Sequence, residues 1–266
     1  DYKPDYIFHL AAQSLVSKSY IDPVKTWNTN LIGTLNILET LRHLNKRCNV
    51  IIITSDKCYY NKELKRGYKE KDELGGKDPY SASKAAAEIL IRAHIKSFFP
   101  DDGKIRISTA RAGNVIGGGD WSEDRLIPDC IKSWSIKKSV TLRNPNSTRP
   151  WQHVLEALNG YLVLATHLNK NKNLHGESFN FGPTSKKNFN VKQVINEMSK
   201  TWKNIKWSIK KNNGKIFYES NLLKLNCTKA QKTLKWQPLL KFNEMIELVA
   251  IWYKSFYSKK NKMNKV

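Results

Sequence analysis

The chain has 266 residues, of which 40% are hydrophobic, and it carries a formal net charge of +23. A chain of this length can bury a sizeable core, as one large domain or as one domain with a smaller lobe. No apolar run approaches the ~18 residues of a membrane span, and the first residues lack the parts of a secretory signal, so the sequence predicts neither feature.

The positive charge raises the alternative of nucleic-acid binding. However, the basic residues are spread along the chain, and only the final stretch YSKKNKMNKV is a dense basic run. That stretch has no apolar periodicity and is typical of a frayed terminus. We therefore expect no nucleic-acid partner, although the positive field would attract an anionic substrate such as a nucleotide diphosphate.

The four cysteines lie far apart, and none belongs to a C-x-x-C pair. This spacing argues against a metal site and predicts reduced thiols in a cytoplasmic protein. The cysteines are Cys48, Cys58, Cys130 and Cys227.

Strand and helix signals alternate along the first half of the chain. The apolar runs YIFHLAA (6–12) and NVIIITS (49–55) predict buried parallel strands, and IRISTARAGNVIG (105–117) predicts the next strand and its loop. Asp78-Pro79 predicts the start of a helix, because Asp is a good N-cap and Pro suits the first turn. Another helix is predicted by apolar residues at three- and four-residue steps, namely Val24, Trp27, Leu31, Leu35, Leu38 and Leu41.

This alternation predicts an α/β fold with a Rossmann-like, doubly wound parallel sheet. Beyond about residue 120 short strands mix with helices, so we predict a sheet domain over 1–120 and a substrate lobe over 121–266 that interleaves with the last sheet elements. Ligands of such sheets bind beyond the carboxyl ends of the strands. The stretches HLAAQS, TSDK and RAGNVIGGGDW are therefore predicted to face one crevice.

Tyr80 and Lys84 are four residues apart on a predicted helix and share one face. An adjacent ammonium group favours the phenolate and predicts a lowered pKa for Tyr80. The pair could then remove a proton from a sugar hydroxyl while hydride leaves the carbon beneath it. A chance Y-x-x-x-K on a solvated helix is the alternative.

Asp56 and Lys57 follow the strand that is predicted to end beside this helix. A polar Thr-Ser-Asp-Lys run at a strand end can simply form a turn or cap a helix. At the same crevice as Tyr80, however, the acid and the amine could protonate a leaving hydroxyl and remove a carbon-bound proton.

The run GNVIGGGDW (113–121) does not have the G-x-G-x-x-G spacing of a dinucleotide fingerprint, and its glycines indicate a tight turn or close backbone approach. Arg125, Arg143 and Arg149 are candidates to clamp a diphosphate, with ordinary surface arginines as the alternative. His153 opens an apolar helix and is expected to be a core or capping residue.

Taken together, the motifs resemble the extended short-chain dehydrogenase/reductase family, in its branch of NAD-dependent enzymes that modify nucleotide sugars. The resemblance runs from residue 6 to about 253 and rests on HLAAQ, TNLIGT (29–34), Tyr80-x-x-x-Lys84, RAGNVIG and KAQKTLKWQP…WY. The strings TSDKCY, GGGDWSEDRLIPD and RNPNSTRPWQHVLE are similar to those of the 4,6-dehydratases that act on CDP-glucose.

The resemblance implies a mechanism. Tyr80, poised by Lys84, would deprotonate the sugar O4 while the C4 hydride passes to NAD, and Ser55 would hydrogen-bond near O4. Water would then be eliminated across C5 and C6 with the help of Asp56 and Lys57, and the hydride would return to C6. Related dehydratases carry Glu at the position of Lys57, so the residue that removes the C5 proton stays open.

The resemblance also assigns binding residues. It places NAD against Tyr80, Lys84 and the residues Leu10, Ala11, Ala12, Gln13, Ser14 and Thr29. It places CDP-glucose against Ser14, Asn114, Arg125, Leu126, Val140, Leu142 and Arg149, with Arg149 as the first choice for the diphosphate.

The family's glycine-rich first turn, its phosphate-binding helix and its acidic ribose-binding residue are absent from this sequence. Roughly 70 residues with the first three strands of the usual order would be missing, so we expect a fragment that keeps the catalytic groups and binds NAD poorly. The resemblance further implies a homo-oligomer and a role in making dideoxy sugars of lipopolysaccharide. A nucleotide-sugar 4-epimerase is the alternative enzyme, and a non-catalytic fragment is the alternative outside catalysis.

Overall fold

The computed structural model describes residues 2–183, 188–203, 205–209 and 220–263, with side chains described up to residue 258. A π-helical segment joins two helices of the first half, and a 3-10 turn follows the second strand. The first-half elements are β1 (Tyr6–His9), α1 (Val16–Ile21), α2 (Pro23–Trp27), the π segment (Asn28–Ile32), α3 (Gly33–Arg42), β2 (Cys48–Ile53), the 3-10 turn (Asp56–Cys58), α4 (Pro79–Phe98), β3 (Ile105–Ala112) and β4 (Val115–Ile116).

The second half adds short strands and longer helices. Its elements are α5 (Leu126–Ser135), β5 (Val140–Leu142), β6 (Thr148–Arg149), β7 (Gln152–His153), α6 (Val154–Lys170), a 3-10 turn (Lys172–Leu174), β8 (Ser178–Phe181), β9 (Phe189–Asn190), α7 (Val191–Thr201), β10 (Trp207–Ile209), α8 (Thr228–Leu234) and α9 (Phe242–Met263).

The main sheet of the described residues has four strands in the order β1-β2-β3-β8. Every pairing in it is parallel, which confirms the predicted α/β class. Because the strands are parallel, their carboxyl ends meet at one edge, and the segments after His9, Ile53 and Ala112 lie there together. The last strand comes from the second half of the chain. The predicted division at residue 120, with a lobe that interleaves with the sheet, stays a prediction.

Strand β2 is buried on both faces, which explains its β-branched composition. Val50 and Ile52 pack in a cluster with Leu38 and Leu41 of α3 and with α4. Ile51 faces the other way, into a cluster that includes residues of α6 and β8. The sheet is therefore covered by α3 and α4 on one face and by α6 on the other.

A separate apolar cluster packs elements of the second half of the chain, residues 121–266, which is called the lobe from here on. It joins α5, β5, α7 and α9 through Ile131, Leu142, Met198, Ile246 and Tyr253. Among the described residues, no helix is both long and apolar enough to cross a bilayer.

The single helix predicted through Val24 and Leu41 is interrupted in the structure by the π segment. Each π turn holds one residue more than an α turn, so the segment rotates the apolar stripe out of phase. As a result Leu38 and Leu41 are buried, whereas Val24 is 68% exposed. A periodicity count over the whole stretch could not locate this break.

Candidate active site

The polar turn after β2 is held by its own serine. Ser55 Oγ accepts a hydrogen bond of 3.2 Å from the Lys57 amide and donates one of 3.1 Å to Asp56 Oδ1. Asp56 is only 2% exposed, and its Oδ2 has no hydrogen-bond partner among the residues that the structure describes. Burial raises the pKa of Asp56, against the opposing charges of Lys57 and Arg149. This direction favours the protonated carboxyl group that a general acid needs.

Helix α4 begins as predicted. Asp78 is its N-cap and accepts a hydrogen bond of 2.9 Å from the Ser81 amide, with Pro79 in the first turn. Tyr80 and Lys84 follow on one face, and both side chains are buried. Ser83, between them, donates a hydrogen bond of 2.7 Å to the Tyr80 carbonyl. The helix start therefore fixes where the phenol enters the site.

The phenol and the turn after β2 converge. Burial raises the pKa of Tyr80 to about 12, while a hydrogen bond with Ser55 and the charge of Arg125 oppose the shift and the nearby Asp56 carboxylate adds to it. The lowered Tyr80 pKa predicted from the neighbouring ammonium is wrong for this structure, because burial of the phenol is the largest effect. The predicted proximity of phenol and acid is present.

Lys84 also responds mainly to burial. Its pKa is lowered to about 8, although the nearby Cys58 and Glu88 raise it. Its Nζ lies 3.4 Å from the carbonyl oxygen of Ile53, at the end of β2. Burial lowers the pKa of the half-buried His9 at the end of β1, and the Lys84 charge adds to this shift.

The segment after β1 is tied to α4 through Asn30 of the π segment. Asn30 Oδ1 accepts a hydrogen bond of 2.8 Å from the Gln13 amide, and its Nδ2 donates one of 2.9 Å to Ser83 Oγ. Gln13 Nε2 donates to Thr26 Oγ1 at 2.9 Å. The other residues predicted to line the NAD site are exposed or half-buried around this segment, namely Leu10, Ala11, Ala12, Ser14 and Thr29.

Two arginines of the lobe reach the same edge of the sheet. Arg125 Nη2 donates a hydrogen bond of 2.9 Å to Ser14 Oγ. Burial raises the pKa of Asp56, and the charge of Arg149 is one of the effects that oppose this rise. The buried Arg149 side chain donates a hydrogen bond to the Thr148 carbonyl oxygen at 2.8 Å. Predicted substrate residues from both halves of the chain thus meet at the crevice.

The remaining predicted substrate residues are placed differently. Val140 and Leu142 are 6% and 3% exposed, and their side chains pack in the apolar core of the lobe with Leu126 beside them. The carbonyl oxygen of Asn114 accepts a hydrogen bond of 3.0 Å from the Gln152 amide. Arg143 donates to the Asp124 carbonyl oxygen at 3.2 Å. Their proposed contacts with substrate stay predictions.

The glycine run packs against protein. A Cβ on Gly118 would lie 2.1 Å from the Trp252 ring, and Gly119 has a φ of +80°. Gly118 has no room for a side chain because Trp252 of α9 lies against it, and Gly119 adopts a positive φ that favours glycine. His153 caps α6, as expected, because its Nδ1 accepts a hydrogen bond of 3.3 Å from the Leu155 amide.

Arg149 and His153 line a cavity of about 620 Å³. Its other lining residues include Trp151, Phe189 and Phe242. A much smaller cavity of about 30 Å³ touches Lys57 and Asp78. Ser55, Asp56, Tyr80 and Lys84 line neither of these two cavities, so their convergence, and not cavity volume, marks the candidate site. Among the described residues, no group of three or more His, Cys, Asp or Glu side chains could hold a metal ion.

Sequence reasoning gave no role to Asn30, Glu88 or Arg111. Each is buried and hydrogen-bonded across elements that are far apart in the chain. Asn30 and Arg111 stand inside the quoted strings TNLIGT and RAGNVIG, but their partners could not be found from spacing. The signal that marks these three residues is the burial of a polar side chain, and burial becomes visible only in the fold.

The parallel sheet, with a buried Tyr-x-x-x-Lys pair beside a Ser-Asp-Lys turn at its carboxyl edge, defines an enzyme of the short-chain dehydrogenase/reductase class. A family model described as GDP-mannose 4,6 dehydratase matches residues 1–249. The chain therefore belongs to the GDP-mannose 4,6 dehydratase family, and the predicted resemblance is confirmed.

Individual relatives agree with this assignment. The chain is 41% identical to the CDP-glucose 4,6-dehydratase of Salmonella typhimurium over 96% of its own length and 72% of that protein. The UDP-glucuronic acid 4-epimerase of Bacillus cereus, solved with UDP-glucuronic acid and NAD, has a TM-score of 0.82 at 22% identity, covering 95% of this chain and 76% of that one. The dTDP-glucose 4,6-dehydratase of Bacillus anthracis, solved with NAD, has a TM-score of 0.73 at 21% identity, covering 94% and 73%.

Proposed function

We propose that the protein converts CDP-glucose to CDP-4-keto-6-deoxyglucose by NAD-dependent dehydration. The observation that carries this proposal is the convergence of Tyr80 with Ser55 and Asp56 at the carboxyl edge of the sheet. An epimerase needs the tyrosine and the cofactor but no acid for elimination, whereas this site contains a buried carboxyl group. The nucleotide choice rests on the 41% identity to a CDP-glucose 4,6-dehydratase.

The donor groups at this edge fit the nicotinamide riboside end of NAD. Lys84 Nζ has three donors, and among the described residues its one hydrogen-bond acceptor is the Ile53 carbonyl oxygen at 3.4 Å. The ammonium group can therefore bind ribose hydroxyls beside Tyr80. NAD, when bound, supplies the chemistry of accepting a hydride from C4 and returning it to C6.

The protein's own groups would move the protons. Tyr80 takes the O4 proton, with Ser55 hydrogen-bonded to the phenol and Lys84 stabilising the charge that develops. The ketone at C4 acidifies the C5 hydrogen. Asp56 then donates a proton to the C6 hydroxyl, which leaves as water. A base at the turn, Lys57 or the Asp56 carboxylate that this donation leaves, takes the C5 proton, and C5 receives a proton again when the hydride arrives at C6. The sum is the loss of one water with no net oxidation.

Arg125 and Arg149 would hold the diphosphate. Both guanidinium groups come from the lobe and lie near the catalytic groups. The charge of Arg125 opposes the raised pKa of Tyr80, and the charge of Arg149 opposes the raised pKa of Asp56. Guanidinium groups bind phosphate oxygens in a bidentate way. Such contacts would place the hexose over Tyr80.

We further propose that the enzyme is a homo-oligomer of a reducing, cytoplasmic compartment that supplies dideoxy sugars for lipopolysaccharide. The four cysteines are free and buried, and several large apolar side chains of α2, the π segment and α4 are exposed, namely Val24, Ile32, Ile89 and Phe98. Light scattering would test self-association, and a monomer at all concentrations would contradict it.

The function is tested by incubating the protein with CDP-glucose and NAD and adding alkali. A 4-keto-6-deoxy sugar gives an ultraviolet chromophore, which we expect to see, and mass spectrometry should show the loss of one water. An epimerised CDP-hexose of unchanged mass, without the chromophore, would favour the epimerase. GDP-mannose, UDP-glucose and dTDP-glucose serve as competing substrates, and equal turnover of these would contradict the nucleotide choice.

A further inference from the structure

Arg111 of β3 is a fully buried arginine whose hydrogen bonds are all satisfied inside the protein. It is 0% exposed. Its Nε and Nη2 donate to the two carboxylate oxygens of Glu88 at 2.9 and 2.7 Å. Its Nη1 donates to the Tyr59 hydroxyl and to the Glu70 carbonyl oxygen, both at 2.9 Å, and Nη2 also donates to Ser178 Oγ at 3.2 Å. All five donors of the guanidinium group are therefore used.

The Arg111–Glu88 pair is hydrogen-bonded to the residues on both sides of the polar turn after β2. Thr54, which directly precedes Ser55, donates a hydrogen bond of 2.6 Å from its Oγ1 to Glu88. Tyr59, which directly follows the 3-10 turn, accepts from Arg111 and donates to Asn180 Oδ1 at 2.7 Å. The turn with Asp56 and Lys57 is therefore held at both ends: Thr54 bonds to Glu88 and Tyr59 bonds to Arg111. Glu88 and Arg111 in turn form one ion pair.

The same ion pair also fixes the helix that carries the tyrosine. Glu88 lies on α4 one turn beyond Lys84, and its carboxylate accepts hydrogen bonds from Thr54, directly after β2, and from Thr109 of β3. These bonds hold the helix against the sheet. A buried ion pair is a weak source of net stability, because desolvation offsets most of the attraction. Its fixed geometry, however, is well suited to setting the distance between two segments.

We propose that the Arg111–Glu88 pair, acting through Tyr59 and Thr54, is a positioning device that sets the turn at Ser55–Lys57 against Tyr80 and Lys84. Its kinetic consequence rests on the proposed dehydratase function. Oxidation at C4 depends on Tyr80 and Lys84 of α4, with one hydrogen bond from Ser55 of the turn, whereas elimination also needs Asp56 and Lys57 of the turn aligned on the same hexose. Weakening the hold on the turn should therefore slow elimination more than oxidation.

Tyr59→Phe is the variant that tests this. It removes the hydroxyl that bonds to Arg111 and keeps the ring, which lies 5.0 Å from the guanidinium carbon. Tyr68→Phe is the matched control, because Tyr68 stacks on Tyr59 with ring centroids 5.2 Å apart, but its hydroxyl bonds to Asn61 and to the Lys62 amide. Thr54→Val removes the second anchor with little change of shape.

The first readout needs no substrate or cofactor. Cys58 is 0% exposed and lies inside the turn, between Lys57 and Tyr59, so its reaction with a thiol reagent requires local opening of the turn. Labelling of Cys58, followed by mass spectrometry, should become roughly tenfold faster in Tyr59→Phe and in Thr54→Val. Labelling of the other three buried cysteines should stay unchanged, as should that of Cys58 in Tyr68→Phe.

The second readout separates the steps of the reaction. With CDP-glucose and NAD, Tyr59→Phe should accumulate reduced nicotinamide in the steady state and form the keto product roughly tenfold more slowly, with little change of KM. Equal Cys58 labelling in Tyr59→Phe and Tyr68→Phe, or faster labelling of all four cysteines together, would overturn the proposal. A wild-type protein that makes no keto sugar would refute the dehydratase function alone, since the labelling experiment still decides the role of Arg111.

Discussion

Arg125 of the lobe donates a hydrogen bond of 2.9 Å to Ser14 Oγ, in the segment between β1 and α1. The Asp120 carboxylate lies 3.8 Å from the same guanidinium group. This contact joins the two halves of the chain directly over the carboxyl edge of the sheet. A substrate that enters the crevice would meet Arg125 there, beside Tyr80.

Arg125→Gln should weaken substrate binding more than it slows the chemistry. We expect KM for CDP-glucose to rise about tenfold with a small change of kcat, because a charge-assisted contact to phosphate contributes about 1.5–3 kcal/mol. Arg92→Gln is the control, since Arg92 lies exposed on α4 and has no proposed contact with substrate. Steady-state kinetics measure both, and an equal rise of KM in the two variants would contradict the assigned contact.

Tyr80→Phe should remove the group that takes the O4 proton and leave the fold intact. The expected loss is on the order of 10²- to 10⁴-fold in kcat, as for other general bases, with KM nearly unchanged. Tyr60→Phe changes the same atoms on a 38% exposed tyrosine and should have no effect. A Tyr80→Phe enzyme that keeps more than half of its activity would remove the phenol from the mechanism.

The sequence predicted the parts of the fold that depend on local pattern. The alternating strands, the cap at Asp78 and the shared face of Tyr80 and Lys84 all follow from spacing within a few residues. The π segment was missed because no residue type marks it. The burial of Val140 and Leu142 and the Arg111–Glu88 pair were missed because they depend on contacts between distant parts of the chain, which periodicity does not encode.

Lys84 should give the unfolding free energy a specific pH dependence. Its pKa is lowered from 10.5 to about 8 in the folded protein, so between these values the unfolded chain binds more protons and stability rises with pH. At neutral pH the buried charge destabilises the fold by on the order of 3 kcal/mol. Lys84→Met should therefore be more stable than the wild type near pH 7, and the difference should shrink toward about pH 10.

Denaturant unfolding at several pH values measures this difference. Lys96→Met is the control, because Lys96 lies exposed on the same helix and should give a difference independent of pH. A Lys84→Met protein whose stability relative to wild type does not change with pH would show that the ammonium group is solvated in the folded state.

Asp56→Asn should uncouple oxidation from elimination. The amide cannot donate the carboxyl proton to the leaving hydroxyl, so keto product should form about 100-fold more slowly or worse, while reduced nicotinamide accumulates on the enzyme. The absorbance of the reduced cofactor and the alkaline chromophore follow the two steps separately. Asp22→Asn keeps a helix N-cap and should change neither signal, whereas loss of both signals together in Asp56→Asn would place Asp56 in the first step.

The position of β8 in the sheet has a consequence for how the protein is made. Its four residues pair with β3, yet the ribosome must synthesise much of the lobe before they emerge. Until then, β3 offers an unpaired edge at that side, and unpaired edges recruit other chains. Expression should therefore depend on chaperones and on translation speed between residues 113 and 177, and genetic dissection of the chain near its midpoint should yield aggregates in place of a working half.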